Sequence, residues 1–176
     1  YVAERIRMAG AKPYILSLAK TKKGFLKLKK IKDDGNKRII HVCSIGGDGK
    51  LSNYINSRII KRQFKKYILN DVKDGDVLIM YHSYVLSKML KNLLRDKNVT
   101  VIEEIEEIYG YAATGDKDFV EDEKETLKGM DAYIMVNDMI CDAIGENKEK
   151  CVVSYGVCDI PERTAERFDD GFIHVV

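Results

Sequence analysis

Apolar positions along the chain fall into two alternating patterns. Short runs of about five residues, rich in β-branched side chains, recur at residues 14–18, 38–45, 77–81, 99–103, 132–136, 151–155 and 172–176. Runs of this length and composition read as strands buried on both faces of a parallel sheet. Between them lie stretches whose apolar residues return every three to four positions, the period of an amphipathic helix. The clearest covers residues 53–70, where Ile59, Ile60, Phe64, Tyr67 and Ile68 share one face. Arg58, Lys61, Arg62, Lys65 and Lys66 occupy the opposite face, within an arc of about 140°. Further helices are predicted over residues 84–94, 121–128 and 139–144, the last closed by Gly145. At the start, residues 1–9 read as the end of a helix stopped by Gly10, followed by the strand at 14–18. That order is the second half of a βαβ unit, and its first strand is expected upstream of Tyr1. Strand–helix alternation of this kind specifies an α/β fold: a Rossmann-like open parallel sheet with helices on both faces. About six strands in a single sheet are expected.

Residues 98–111, NVTVIEEIEEIYGY, stand out within this pattern. The apolar run turns abruptly acidic at Glu103, Glu104, Glu106 and Glu107 before Tyr109 and Gly110. Ligands of open α/β sheets bind beyond the carboxyl ends of the strands, where these carboxylates are predicted to lie. The plainer alternative is a first helical turn whose acids suit the helix dipole and face water. His82 and Ser83 follow the strand at 77–81 and sit at the same edge, again with a structural role as the alternative. The Gly46-Gly47-Asp48-Gly49-Lys50 cluster has neither of the usual phosphate-loop spacings and reads as a turn.

Charge and composition change the picture in one respect. The net charge is only +2, yet residues 20–66 carry 15 Lys/Arg against 3 Asp/Glu, and residues 99–170 carry 7 against 20. Residues 20–38 interleave nine cations with Phe25, Leu26, Leu28 and Ile31. Either this is a solvated hairpin with gatekeeping lysines, or it is drawn to anionic lipid at about 1 kcal/mol per cation. Lys27, Lys29, Lys30, Arg58, Lys61, Arg62 and Lys65 are the candidate membrane-surface residues. The aliphatic interleaving disfavours nucleic acid, which calls for aromatic stacking. Four cysteines without a C-x-x-C pair and three scattered histidines give no metal-ligand spacing, and a reducing cytosol is expected. No apolar run approaches the ~20 residues of a membrane-spanning helix.

The order of elements, together with residues 76–83, the Glu104-Ile105-Glu106-Glu107-Ile108-Tyr109 run, residues 131–134 and residues 152–156, resembles a known family. It is similar to the N-terminal domain of GT-B glycosyltransferases, especially family-4-like bacterial enzymes of surface polysaccharide synthesis. The resemblance implies an acceptor-binding domain over residues 1–158. Residues 159–176 would then be a linker and the first strand of a donor-binding domain beyond Val176. It implies a retaining, nucleotide-sugar-dependent transferase that needs no catalytic metal and no cofactor beyond the donor. The partners implied are a nucleotide-sugar and an oligosaccharide or lipid-linked acceptor, in the cytoplasm and peripherally on the inner face of the plasma membrane. By position, Glu104 and Glu106 are the implied catalytic pair, and His82, Ser83, Glu107 and Tyr109 the acceptor side. Glu104 falls where many relatives carry histidine. Two departures stand out: the donor-side pair of glutamates eight residues apart is absent, and so is the Gly-rich loop expected after the first strand, so this chain alone is expected to be inert. The competing class is a non-catalytic Rossmann-like module that binds a nucleotide or sugar.

Overall fold

A computed structural model describes residues 6–19, 26–111 and 115–154. The predicted strand at 172–176 and the linker at 159–171 lie outside the described residues. In chain order the strands are β1 (Tyr14–Ser17), β2 (Leu26–Lys27), β3 (Lys30–Asp33), β4 (Arg38–His41) and β5 (Ser44–Ile45). Helix α1 (Lys50–Asn70) follows, then β6 (Val77–Tyr81), α2 (Tyr84–Leu93), β7 (Thr100–Ile105), α3 (Lys117–Leu127), β8 (Ala132–Met135), α4 (Asp138–Ile144) and β9 (Cys151–Val153).

The centre of the molecule is an all-parallel four-stranded sheet in the order β6-β7-β8-β9, flanked by helices. The helices pack on one another in chain order, α1 on α2, α2 on α3 and α3 on α4. Between helices and sheet lies a core that includes Phe64, Ile68, Leu90, Val101, Ile105, Leu127, Tyr133 and Ile144. Burying each such side chain stabilises by about 1.5–3 kcal/mol. Tyr133 keeps its polar end satisfied inside this core: its hydroxyl donates to the Leu127 carbonyl at 2.9 Å and accepts the Met130 N–H at 3.1 Å. Lysines close two of the helices. Lys97 Nζ reaches the carbonyls of Ile68, Leu69 and Val72 at the end of α1, and Lys91 Nζ those of Glu125 and Lys128 at the end of α3. Each donor answers carbonyls that a helix end leaves without partners.

The single six-stranded sheet expected from the sequence is not what forms. The described strands make three hydrogen-bonded groups, because β1-β4-β3 and β2-β5 stand apart from the four-stranded sheet. The run at 38–45, read as one strand, breaks at Val42 and Cys43. Its first half pairs parallel with β1 and antiparallel with β3, and its second half pairs with β2. Two amide side chains of α1 explain the break. Gln63 exchanges hydrogen bonds with the Cys43 backbone (3.2 and 3.3 Å), and buried Asn56 does the same with Ile45 (2.8 Å each way). These side chains act as a substitute strand, so the segment follows α1 rather than β4. Within the lysine-rich stretch Lys30–Asp33 pairs antiparallel with Arg38–His41 as a hairpin, while residues 20–25 lie outside the described residues.

Helix boundaries differ in a regular way. α1 starts at Lys50, three residues before its apolar periodicity begins, and α3 starts at Lys117 rather than 121. In α3 the Asp116 carboxylate caps the N–H groups of Asp118 and Phe119, so the cap rather than the apolar stripe sets the start. β7 is longer than predicted and runs to Ile105, which places Glu103 and Glu104 inside the strand.

Candidate functional site

β6 and β7 are neighbours, with Tyr81 opposite Glu104 and the His82 N–H donating to the Glu104 carbonyl at 2.9 Å. The residues singled out from sequence therefore meet at one edge: Tyr81, His82 and Ser83 beyond β6, and Glu104 to Tyr109 at the end of β7. Strand alternation then separates them. Glu103 shares a face with Val101 and Ile105 and turns inward under α2, whereas Glu104 belongs to the opposite face. The four carboxylates read as one acidic cluster are two buried or half-buried strand residues on opposite faces, plus two exposed loop residues, Glu106 and Glu107. The plainer alternative of a first helical turn does not hold for Glu103 and Glu104, which are strand residues, whereas Glu106 and Glu107 do face water just ahead of a helical turn at residues 109–111.

The inner side is closed and hydrogen-bonded. His82 is buried and stacks on the Tyr109 ring, with centroids 4.4 Å apart and planes 7° from parallel. The Tyr109 hydroxyl donates to the His82 carbonyl at 3.3 Å. Beneath them lies Glu123 of α3, fully buried, whose two oxygens accept the N–H groups of Tyr109 (3.0 Å) and Gly110 (2.7 Å). His82 Nε2 stands 3.2 Å from Glu123 Oε1, at an angle that makes no aligned hydrogen bond. Burial holds the His82 imidazole below its ordinary pKa of 6.5, and the nearby Glu123 carboxylate only partly opposes this, so His82 is neutral at pH 7. Gly110 lets the loop lie directly on α3: a Cβ there would stand 2.5 Å from Val120 Cγ2 and 2.9 Å from Val120 Cα. Close by, Glu103 accepts from the Ser87 hydroxyl at 2.7 Å while its other oxygen has no partner among the described residues. Burial pushes the Glu103 carboxyl up to about 7, against the lowering by Ser87 and Lys91.

The outer side is open. The Tyr81 hydroxyl donates to Glu106 Oε2 at 2.6 Å, and that bond, more than burial, raises the Tyr81 phenol to about 12. Glu104 is half-buried, with its carboxyl raised by burial and then by the neighbouring Glu106 charge. Together with His82 and Ser83 it lines the mouth of a 780 Å³ cavity beside β6. Ser83 is the N-cap residue of α2, although its side chain makes no capping bond. The arrangement offers two carboxylates and a phenol to a hydroxyl-bearing ligand, beside a neutral imidazole held in a stack. Among the described residues no three His, Cys, Asp or Glu side chains gather as a cation site.

Sequence reasoning missed Glu123 and Tyr81. Glu123 looked like one of several first-turn helix acids, and no local pattern marks a carboxylate that binds backbone N–H groups of another segment. Tyr81 closes an apolar run whose pattern predicts a buried strand residue, yet it is 55% exposed. Comparison of the chain with protein-family models and with curated proteins finds no match. What fold and site define is therefore an α/β protein with a parallel sheet compatible with a Rossmann-like domain, and polar groups collected at its carboxyl edge.

Proposed function

We propose that this chain is the acceptor-side half of a GT-B glycosyltransferase. It would transfer a hexose from a nucleotide-sugar, with retention, to a growing surface polysaccharide or lipid-linked acceptor, and would be inert without a donor-binding domain. The observation that carries the reading is the juxtaposition of Glu104, Glu106 and Tyr81 at the open carboxyl edge of β6 and β7. On this reading Glu104 faces the reacting sugar, where a carboxylate steadies a cationic, oxocarbenium-like centre or orients a hydroxyl. Glu106, tied to Tyr81, supports it electrostatically. His82, Ser83, Glu107 and Tyr109 form the acceptor side, with His82 and Tyr109 fixed as one stacked unit. The test is Glu104→Gln in the complete natural protein, since Gln removes charge and keeps shape. Nucleotide-sugar turnover is expected to fall by about 10²–10³-fold, as when an oxyanion-hole donor is removed. The melting temperature should hold, with stability changed by no more than about 0.5 kcal/mol. Wild-type turnover in that variant defeats the assignment of Glu104.

The basic surface supports a peripheral place on anionic membrane. Lys29 of the hairpin lines one 450 Å³ groove together with Arg62 and Lys66 of α1, so the two basic segments are contiguous in space. Leu26, Leu28 and Ile31 stay exposed beside Lys27, Lys29 and Lys30, and Arg58 lies over the exposed Tyr54 ring at 4.8 Å. Exposed apolar tips among cations suit a lipid surface better than bulk water. Among the described residues no helix is long and apolar enough to cross a membrane. Sedimentation with vesicles of phosphatidylglycerol and phosphatidylcholine should show binding that salt weakens. Equal binding to pure phosphatidylcholine overturns this part of the reading.

A further inference from the structure

The 780 Å³ cavity has walls of an unusual kind. Among the described residues one is β1, which pairs only with β4, and the other is β6, which pairs only with β7, so each is an edge strand facing the same space. Residues of both strands line the cavity, among them Leu16 and Ile79, and α1 supplies its floor through Ile60 and Phe64. Both edges start at the same end of the molecule. Tyr67 of α1 lines the cavity together with Tyr14 at the start of β1 and Leu78 near the start of β6, and it stands within electrostatic reach of Arg38 and Asp76. A cavity of this volume could hold a small molecule. However, two facing rows of backbone N–H and C=O groups call for backbone partners, which a ligand with a few polar atoms does not supply.

We propose that this slot takes one further β-strand, parallel to β1 and β6, supplied by the polypeptide that precedes Tyr1 in the natural protein. Three observations select that source. The helical turn at residues 6–8 ends at Gly10, whose N–H bonds the Arg7 carbonyl (2.9 Å) while the Ala11 N–H bonds the Ile6 carbonyl (3.2 Å), and the chain then enters β1. Ile6 itself lines the cavity, so that helix already lies against the slot. A strand joined to β1 through such a helix follows the right-handed crossover and pairs beside its successor. The only vacant edge of β1 among the described residues is the one facing β6.

The new strand would join the described groups into one sheet ordered β3-β4-β1-new-β6-β7-β8-β9. Numbered from the new strand, the parallel part reads 3-2-1-4-5-6 before β9, the order of a doubly wound sheet. The switch point of that order falls between the new strand and β6. The loop leaving the new strand would therefore emerge beside His82, Ser83 and Glu104 and form the facing wall of the candidate site. This cavity is then a strand site, and the ligand crevice is confined to its mouth. The proposed strand is four to five apolar residues, matching β1 and β6 in length.

Backbone NMR on the natural polypeptide, with its residues upstream of Tyr1, tests this directly. Expected are cross-strand contacts from both β1 and β6 to one shared upstream segment. Amide exchange at the two edges should also be at least about tenfold slower than in the chain beginning at Tyr1. The NMR contacts need no variant, so the result stands even where the shorter chain folds poorly. The proposal fails if no apolar run precedes Tyr1, if the two edges show no common partner, or if residues 172–176 of the chain prove to be the occupant. None of these measurements reads glycosyl transfer, so their failure and that of the proposed activity are separable.

Discussion

The two sides of the β6–β7 edge use the same residue types for opposite ends. On the inner side Glu103 and Glu123 are fully buried, and Glu123 binds two backbone N–H groups while standing against the His82–Tyr109 stack. On the outer side Glu104 and Glu106 are half-buried and exposed, and Glu106 accepts a hydrogen bond from another surface group, Tyr81. A carboxylate that is fully buried against backbone N–H groups fixes a loop and is closed to a ligand. One that stays half-open, with its pKa raised by partial burial and then by a like charge, keeps capacity for a hydroxyl. Counting acids at a sheet edge does not find a site. Which face each occupies, and which N–H groups each has already answered, does.

Removing the inner anchor should have the largest effect. Glu123→Ala strands the N–H groups of Tyr109 and Gly110 in a buried place and takes the carboxylate from beside His82. Each of the two stranded buried N–H groups costs about 1–3 kcal/mol when solvent cannot reach it, and the lost side chain leaves a buried void besides. Urea unfolding should show a loss of about 3–5 kcal/mol, far beyond that of the Glu104→Gln variant. A loss under about 1 kcal/mol would mean that the loop at 106–110 holds itself, and the contrast between the two sides would collapse.

The second prediction concerns pH and separates Glu103 from the outer acids. Burial pushes its folded carboxyl up to about 7 against an ordinary value of 4.5, so the folded state holds the proton more tightly than the unfolded one. The favourable contribution is present below about pH 4.5. It is lost as pH rises through about 7, with the full cost of a buried charge above that. A shift of this size corresponds to roughly 3 kcal/mol of pH-dependent stability. Glu103→Gln, which keeps the Ser87 contact within reach and cannot ionise, should flatten this slope. Urea midpoints of wild type and variant should converge toward pH 4.5 and diverge toward pH 8, with the variant more stable. Parallel curves across that window would show that Glu103 ionises freely where it lies.

How far the sequence announced this arrangement differs between the two sides. The four core strands were legible because β-branched runs have few other places to go, and α1 was legible because Phe64, Tyr67 and Ile68 repeat at helical spacing. Glu103 was partly legible. The alternation Val101, Glu103, Ile105 puts it on the apolar face once the strand is allowed to continue past residue 103. The division of residues 38–45 between two sheets was not, because it depends on Asn56 and Gln63 reaching the backbone from another element. Glu123 was illegible for the same reason. Its partners are N–H groups thirteen and fourteen residues earlier, and a backbone N–H carries no side-chain signature.

The smallest expected effect sits on the outer side, at Tyr81. Its hydroxyl donates to Glu106 across an exposed surface, where water can replace either partner. Tyr81→Phe should therefore change stability by no more than about 0.5 kcal/mol. The bond is visible in another way. The phenol is raised to about 12 chiefly because its proton is held by the Glu106 carboxylate, so ionisation requires breaking that bond and placing phenolate beside carboxylate. Glu106→Gln keeps an acceptor oxygen but removes the charge, and should bring the Tyr81 phenolate absorbance transition down toward 10. Tyr81→Phe should remove that one transition and leave those of the other tyrosines in place. If the Glu106→Gln titration matches wild type, Glu106 is not held by Tyr81 in solution. The outer side would then be a set of independent solvated acids, without the paired arrangement from which Glu104 draws its support.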